Sequence, residues 1–302
     1  GPYPRNRSGR HLGETAKVRY ALMKKLAALL LLLGASLALA ACGYPVKPEN
    51  SGTPDAAVTT VKPDSGYTLG GADVVQLNGF RSIDIEWISG SVSVELYDGE
   101  GIEIKETLAD DGAVSVPMEW RVNEDDSTLD IRSQPQLLSV SEKKHLMLKL
   151  PRSMVLHALD IDTVSAAVSV DLTDEDTLTL DELDVTSISG AVSVNAANAA
   201  SISLSTTSGA ISGSVRTQGL EADSVSGNVD LTLDILPTEL DIETSSGPVT
   251  LAIPTGKTTS VLSVELRTTS GQFSSDVPVT HTKDAPWEFQ TVSGDVTITT
   301  VK

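Results

Sequence analysis

The sequence VTSISGAVSV, at residues 185–194, decides how this chain folds. Close variants return as LRTTSGQFSS from Leu266 and as FQTVSGDVTI from Phe289. Each variant has a Ser-Gly pair between two short runs in which apolar and polar residues alternate. A period of two is typical of β-strands that bury one face. The repeated stretch therefore predicts two short strands joined at a Ser-Gly corner.

An alignment on the glycine of this pair reveals a repeat through most of the chain. The degenerate copy TVSAAVSV has Ala166 in place of the glycine, and the copies from there onward are 24, 19, 18, 20, 24 and 23 residues apart. A period near 20 residues indicates a repeat architecture. The glycines that mark the corners are Gly90, Gly190, Gly209, Gly227, Gly247, Gly271 and Gly294.

The columns of this alignment indicate which side chains face a core. The residue five positions before the glycine is apolar in all eight copies, and so is the residue two positions after it. The residue three positions after it is always polar. Val185 and Ile188 are both apolar yet three residues apart, which predicts a corner or a bulge between two inward positions. This interpretation places Ile188 in the same inward row as Val192.

The corner glycines are predicted to be structural. Glycine is required where φ is positive or where no side chain fits. Because Ala166 takes this position once, and Ala at positive φ would be strained, crowding is the favoured reason. The preceding residue is Ser in all eight copies. Stacked copies would align these hydroxyl groups in a ladder that bonds other hydroxyls or free backbone groups.

Two all-β architectures satisfy the pattern. In a β-solenoid each copy is one coil and equivalent residues stack, whereas in a meander each Ser-Gly pair is a hairpin turn. Stacked copies bring equivalent residues into contact, which favours the same residue type at each position of successive copies, whereas hairpin turns do not require this. The sequence therefore favours a β-solenoid, similar to a parallel β-helix, over residues 72–302, with rungs of about 20 residues. Residues 72–150 are less regular and are expected to form an N-terminal cap.

The residues before this domain carry a different pattern. Met23 opens MKKLAALLLLLGASLALAAC, in which a short basic region and an apolar stretch precede small residues. This is the layout of a secretory signal, and its apolar stretch is shorter than the roughly 20 residues of a membrane span. We therefore expect residues 1–22 to be an upstream extension, 23–41 a lipoprotein signal peptide, and 42–71 a tether rich in Pro and Gly.

Cys42 closes the signal in LAAC and is the only cysteine of the chain. LAAC closely resembles the lipobox of bacterial lipoproteins, in which the cysteine becomes the first mature residue and carries lipid. The resemblance implies a lipid anchor at Cys42 on the extracytoplasmic face of the bacterial cell membrane. Two or three acyl chains would hold the protein there durably, whereas one would not.

The charge of the chain excludes one class of partner. Its formal net charge is −19, and the residues after Cys42 include 15 basic and 40 acidic side chains. Such a surface repels phosphate, so no nucleic-acid partner is expected. Solubility alone would explain the charge, and attraction of cationic peptides is the alternative. The alternation of apolar and polar residues places several acids on the outside of the coils: Asp162, Asp223, Asp230, Asp241, Glu243 and Asp295.

No catalytic, cofactor or metal site is predicted. P-loop, G-x-S-x-G and dinucleotide motifs do not occur, and the acidic clusters at 110–111, 124–126 and 174–176 do not match an EF-hand loop. From residue 121 to residue 272 there is no Phe, Tyr or Trp, which argues against a sugar-binding groove there. The histidines lack the spacing of metal ligands; they are His11, His145, His157 and His281.

LKLPRSMVLHALDIDTVSAAVSV, IETSSGPVTLAIP and FQTVSGDVTI together resemble a bacterial family of candidate adhesins built from β-strand repeats. The resemblance covers residues 72–302 and implies a solenoid-like surface domain without catalytic residues, often on lipoproteins or near membrane-stress systems. The expected function is a non-enzymatic, lipid-anchored adhesion, interaction or envelope-stress module. Its expected partners are the membrane, cationic peptides, envelope proteins or glycans. The alternative is a polysaccharide-processing or carbohydrate-binding β-helix protein.

Overall fold

The computed structural model describes residues 66–301 apart from 77–78, 80, 109–113, 115, 124, 126, 134–142, 174–177 and 257–260. Among these residues, no helix is long and apolar enough to span a membrane. The strands are β1 (Thr68–Leu69), β2 (Ala72–Val75), β3 (Ser82–Trp87), β4 (Gly90–Tyr97), β5 (Ile102–Leu108), β6 (Glu119–Asn123), β7 (Thr128–Arg132), β8 (Lys144–Pro151), β9 (Val155–Thr163), β10 (Ala167–Leu172), β11 (Thr179–Ser187), β12 (Val192–Thr206), β13 (Ile211–Ser224), β14 (Val229–Leu233), β15 (Glu239–Thr244), β16 (Val249–Pro254), β17 (Leu262–Thr268), β18 (Phe273–Ser275), β19 (Val279–His281), β20 (Trp287–Thr291) and β21 (Val296–Val301).

Equivalent residues of successive copies pair in parallel, as a solenoid requires. Val185 pairs with Ile161 on one side and with Leu204 on the other. A meander would have placed antiparallel hairpin partners next to each other instead. The predicted β-solenoid with its Ser-Gly corners is therefore confirmed.

Each coil contributes strands to two sheets. The strands before the corner form the first sheet, in the order β1-β6-β7-β3-β9-β11-β12-β13-β15-β20-β17-β19. The strands after the corner form the second sheet, in the order β2-β5-β8-β4-β10-β12-β13-β14-β16-β21-β18. β12 and β13 are long enough to run through both sheets.

The two apolar columns of the alignment lie in the core, together with the inward columns seven residues before and four residues after the corner position. Val185, Ile242 and Phe289, five residues before their glycines, are fully buried. The residues two positions after the glycines are buried in the same way along the stack. Each such Val, Leu or Ile stabilises the fold by about 1.5–3 kcal/mol when it leaves water. Only Leu266 and Phe273, in the coil at the far end of the stack, are partly exposed.

The less regular first part of the domain forms a cap at one end of the stack. There β5 pairs antiparallel with β8, β6 with β7, and β2 and β1 lie outside them. The buried indole of Trp87 donates a hydrogen bond to the carbonyl of Lys144 at 3.2 Å. Strand pairing begins at Thr68, a few residues before the predicted domain boundary at residue 72.

The last two coils do not stack in chain order. β20 lies between β15 and β17, and β21 lies between β16 and β18. The chain therefore passes over one position in the stack, builds the end coil, and returns to fill the position it left. The alignment of copies gave no sign of this order.

Candidate interaction faces and the Ser-Gly corner

At all seven corner glycines, close stacking leaves no room for a side chain. A Cβ atom on Gly227 would lie 1.8 Å from the carbonyl oxygen of Gly209 in the neighbouring coil. Gly90 alone among the corner glycines also has a positive φ, of 99°, and its added Cβ would lie 2.0 Å from the carbonyl oxygen of Lys144. The other five glycines meet the equivalent carbonyl within 2.2 Å of an added Cβ: Gly190, Gly209, Gly247, Gly271 and Gly294.

A buried hydroxyl group bonds the corner carbonyl from inside at four of the corners, those of Thr163, Ser224, Thr244 and Thr291. Thr244 is buried and donates a hydrogen bond of 3.0 Å to the carbonyl of Gly247, three residues on. Thr291 and Ser224 make the equivalent bonds to Gly294 and Gly227, at 2.6 and 2.8 Å. A buried carbonyl without a partner would cost about 1–3 kcal/mol. The Thr or Ser three residues before the glycine therefore satisfies a group that the corner would otherwise leave unpaired.

The invariant Ser before the glycine joins neighbouring coils. Ser246 donates both its backbone N–H and its hydroxyl group to the carbonyl of Val225, at 3.0 and 3.3 Å. The hydroxyl ladder therefore bonds to the backbone of the next coil. The same pair of bonds recurs at Ser165, Ser189, Ser208, Ser226, Ser270 and Ser293.

The placement of Ile188 in an inward row was wrong. Alternation continues one step further, so that Ser187 is buried beside Val185 and Ile188 lies on the outside of the corner. Its counterpart Val292 is 54% exposed. A small side chain fits inside the tight corner, whereas a branched apolar side chain would overfill it. In three coils the equivalent hydroxyl also bonds the corner carbonyl, those of Ser224, Thr244 and Thr291. At Ser187 the hydroxyl makes no such bond. The break in the alternation of inward and outward residues therefore lies between Ile188 and Gly190.

An acidic row runs along the outside of the first sheet. The residue six positions before the glycine is acidic in seven of the eight copies, and register pairing stacks these residues strand upon strand. Neighbouring strands are about 4.8 Å apart, so the carboxylates are held close together. In stacking order the row is Asp130, Asp84, Asp160, Asp184, Ser203, Glu221, Asp241, Glu288 and Glu265. We call this surface the acidic face.

Arginine side chains pair with the carboxylates at both ends of the acidic face. Arg121 contacts Asp130 at 2.6 Å, and Arg267 contacts Glu265 and Glu288 at 2.8 and 2.7 Å. The hydrogen bond from Arg267, together with the backbone N–H of Asp284, holds the pKa of Glu265 below its ordinary value. The same pairing raises the pKa of Arg267.

The sequence pointed to some of these residues and missed others. Four of the outward acids expected from the alternation do lie on the acidic face, whereas Asp230 is on the second sheet and Asp295 is beside a corner. The continuous acidic row was not predicted, although the residue six positions before the glycine is acidic in seven of the eight copies. The four expected residues on the face are Asp162, Asp223, Asp241 and Glu243.

A row of hydroxyl groups runs along the outside of the second sheet. It is the polar column three residues after the glycine, and it carries Ser or Thr in seven of eight copies. Ser274 donates a hydrogen bond to Thr297 at 3.2 Å within it. In stacking order the row is Ser93, Ser169, Ser193, Ser212, Asp230, Thr250, Thr297 and Ser274. We call this surface the hydroxyl face.

The remaining candidate residues do not come together. His145 bonds Ser91, His157 contacts Asp181 at 2.9 Å, and the ring of His281 meets Phe273 edge-on. In the part of the chain that the structure describes, no group of three or more His, Cys, Asp or Glu could hold a metal ion. Cys42, His11 and the acidic clusters at 110–111 and 174–176 lie outside the described residues, as do 124 and 126.

The fold defines a class of protein, the β-solenoid built from Ser-Gly coils. The profile of the Toastrack DUF4097 family matches residues 80–302, and the chain belongs to that family. A comparison with curated proteins gives no significant match.

Three solved structures are among those that match this chain. A candidate cell adhesion protein from Clostridium sporogenes is 13% identical, with 76% of this chain and 97% of that chain covered and a TM-score of 0.37. A candidate adhesin from Bacteroides fragilis is 15% identical, with 80% and 100% covered and a TM-score of 0.38. A candidate adhesin from Parabacteroides merdae is 12% identical, with 80% and 99% covered and a TM-score of 0.42.

Proposed function

We propose that this chain is a lipid-anchored, non-enzymatic surface protein of bacteria that binds cationic partners through the acidic face. The acidic row carries the proposal, because seven of eight stacked copies place a carboxylate at the same outward position. The parallel strands fix these charges in one field. Such a field speeds the approach of a basic peptide or protein and strengthens its binding, and salt screens it over about 10 Å at 0.1 M.

A second column of the same sheet strengthens this field. Four acids stand four residues before the corner residue of their coils, beside the acidic row: Glu86, Asp162, Asp223 and Glu243. The partner that fits is an extended or helical segment with several Lys or Arg side chains along one side. The function proposed is capture of such segments at the cell surface, for adhesion or for sensing of envelope stress.

Titration with a basic amphipathic peptide tests the proposal. We expect binding at low salt that weakens at physiological salt. The variant Asp184→Asn, Glu221→Gln, Asp241→Asn should weaken low-salt binding about tenfold, since each exposed charge pair contributes about 0.5 kcal/mol and a loss of about 1.4 kcal/mol is tenfold. The matched variant Glu100→Gln, Asp125→Asn, Asp230→Asn removes three exposed charges outside the acidic face and should change affinity much less. Equal losses in the two variants would contradict the proposal.

The lipid anchor is proposed on the sequence LAAC at residues 39–42. Replacing Cys42 with Ala should move the protein from the membrane fraction to the soluble fraction of cells. The control is Ser51→Ala, a similarly small change in the tether, which should leave the protein with the membrane. If the Cys42→Ala protein stays with the membrane as firmly as the control, the anchor is not at this residue.

Carbohydrate binding is the second candidate function, and the hydroxyl face favours it. Regularly spaced hydroxyl groups on a flat sheet can hydrogen-bond a polymer that has hydroxyls of its own. A glycan array tests binding, and release of reducing sugar tests polysaccharide cleavage. Glycan binding that the change Ser193→Ala, Ser212→Ala, Thr250→Ala abolishes would favour this function over the first. Sugar release would overturn the non-enzymatic assignment.

A further inference from the structure

The C-terminal coil, β20 and β21 with their corner at Gly294, occupies a position between two coils that precede it in the chain. Its Trp287 pairs with Leu240 on one side and with Val264 on the other. Its Val296 pairs with Val249 and with Phe273 in the same way. We call the coil outside it, residues 262–281, the covering coil.

The C-terminal coil fits its position closely on both sides. Trp287, Phe289 and Val296 are buried, and the indole N–H of Trp287 donates to the carbonyl of Pro237 at 3.0 Å. Outside the core, Gln290 donates to Glu243 at 2.9 Å. None of these contacts depends on which chain supplies the coil, because they join it to its neighbours in the stack rather than to the adjoining sequence.

The covering coil is held less firmly than the coils inside the stack. Leu266 and Phe273 belong to columns that are buried elsewhere, yet here they are partly exposed. β19 pairs with β17 at residues 262–264, and among the described residues no strand pairs with the outer side of 265–268. The covering coil therefore has to lose fewer contacts than any inner coil in order to lift from the stack.

A short connection returns the chain from the covering coil to the C-terminal coil. It consists of residues 282–286, in which Asp284 has φ 55° and Pro286 restricts the backbone. A residue other than Gly at such a φ carries backbone strain. Short strained connections favour exchange of the segment that follows them, because an extended connection to a second chain relieves the bend.

We propose that the position of the C-terminal coil is an exchange site for a second copy of this chain. In the exchanged dimer, the C-terminal coil of each chain lies between the two coils of its partner and makes the same contacts there. Only residues 282–286 change conformation. The interface is isologous and closes after two chains, and it needs neither the acidic face nor the lipid anchor.

Disulfide trapping tests the exchange in the full chain with Cys42→Ser. Thr250 and Thr297 are paired across the two coils on the hydroxyl face, and adjacent strands lie within the Cα separation of about 4.4–6.8 Å that a disulfide needs. A chain carrying both Thr250→Cys and Thr297→Cys should form an internal disulfide, which shows that the geometry permits the bond. Chains carrying one change each, unfolded together and refolded at high concentration, should form a covalent dimer under oxidation.

The matched control combines Ser193→Cys with Thr297→Cys on separate chains, since these residues are in the same row but several coils apart. It should give no covalent dimer. Deleting Ala285 should increase the Thr250–Thr297 dimer, and inserting three glycines after Asp284 should decrease it. If the internal disulfide forms while the separate Thr250→Cys and Thr297→Cys chains stay monomeric, exchange does not occur.

Discussion

The acidic face and the hydroxyl face belong to the same coils, yet they carry different chemistry. Both lie over the same buried columns and are joined through the same Ser-Gly corner. Stacking fixes the inward residues and the corner, because each of these contacts its equivalent in the next coil. Outward side chains contact the solvent and are free to differ between the two sheets. The difference teaches that the repeat specifies the fold, whereas the outer rows specify what the fold can bind.

Gly227→Val tests the part that the two faces share, and it should have the largest effect. Its side chain would collide with the carbonyl of Gly209, since even a Cβ would lie 1.8 Å away. Strain and overpacking should lower the free energy of unfolding by more than about 2 kcal/mol. Thermal melting measures this, with Ser212→Ala on the hydroxyl face as the control, expected within about 0.5 kcal/mol of wild type. Equal melting shifts would contradict the assignment of inner and outer positions.

Removing side chains from one face at a time should separate the two faces by function. Neutralising Asp184, Glu221 and Asp241 should weaken binding of a basic peptide at low salt, for the electrostatic reason given above. Replacing Ser193, Ser212 and Thr250 with Ala should leave that binding unchanged. Isothermal titration of both variants at equal ionic strength makes the comparison. A larger loss from the hydroxyl face would reverse the functional assignment of the two sheets.

The same substitution at two Thr residues should sharpen the distinction between corner and face. Thr244 is buried and bonds the carbonyl of Gly247, whereas Thr250 lies on the hydroxyl face. Thr244→Val leaves that carbonyl without its partner and should cost about 1–3 kcal/mol of unfolding free energy. Thr250→Val should cost less than about 0.5 kcal/mol. Denaturant unfolding distinguishes the two, and a more harmful change at Thr250 would mean that the hydroxyl row stabilises the stack.

The smallest expected effect concerns one carboxylate at the end of the acidic face. Because the pKa of Glu265 is lowered in the folded chain, its ionised form stabilises the fold above the ordinary pKa of Glu, and this contribution is lost as the pH falls through the lowered value. Arg267→Gln should raise this pKa toward the ordinary value. Lys283→Gln removes a weaker Coulombic influence and should raise it less. Carbon-13 NMR titration measures both, and a larger shift in the Lys283 variant would contradict the assigned cause.

The sequence predicted the parts of this fold that depend on neighbouring coils. The columns around Val185 and Val192 identified the core, and Ala166 indicated that crowding requires the glycines. The burial of Ser187 in place of Ile188 was not foreseen, because hydropathy alone favours the isoleucine as the inward residue and does not show how little room the corner leaves. The stacking order of the last two coils could not be predicted from the sequence either. Leu266 and Phe289 occupy the same column of the alignment, so each coil fits either the end of the stack or the position next to it.

The candidate binding surface was only partly predicted. Alternation marked Asp241 and Glu243 as outward, but an outward acid in one strand says nothing about its neighbours. Register pairing turns Asp184, Glu221 and Asp241 into one row, and that row is a property of the stacked coils. The identity of a partner depends on contacts that form only when it binds, and a single chain does not contain them.

Mapping a bound peptide on the surface tests the central claim most directly. The measurement is amide chemical-shift change in the lipid-free protein during titration with a basic amphipathic peptide at low salt. The changes should concentrate on the acidic face, at residues such as Asp184, Glu221 and Asp241, and should fade at physiological salt. Changes centred on Ser193, Ser212 and Thr250, or an absence of changes at low salt, would contradict the claim that the acidic face is the binding surface.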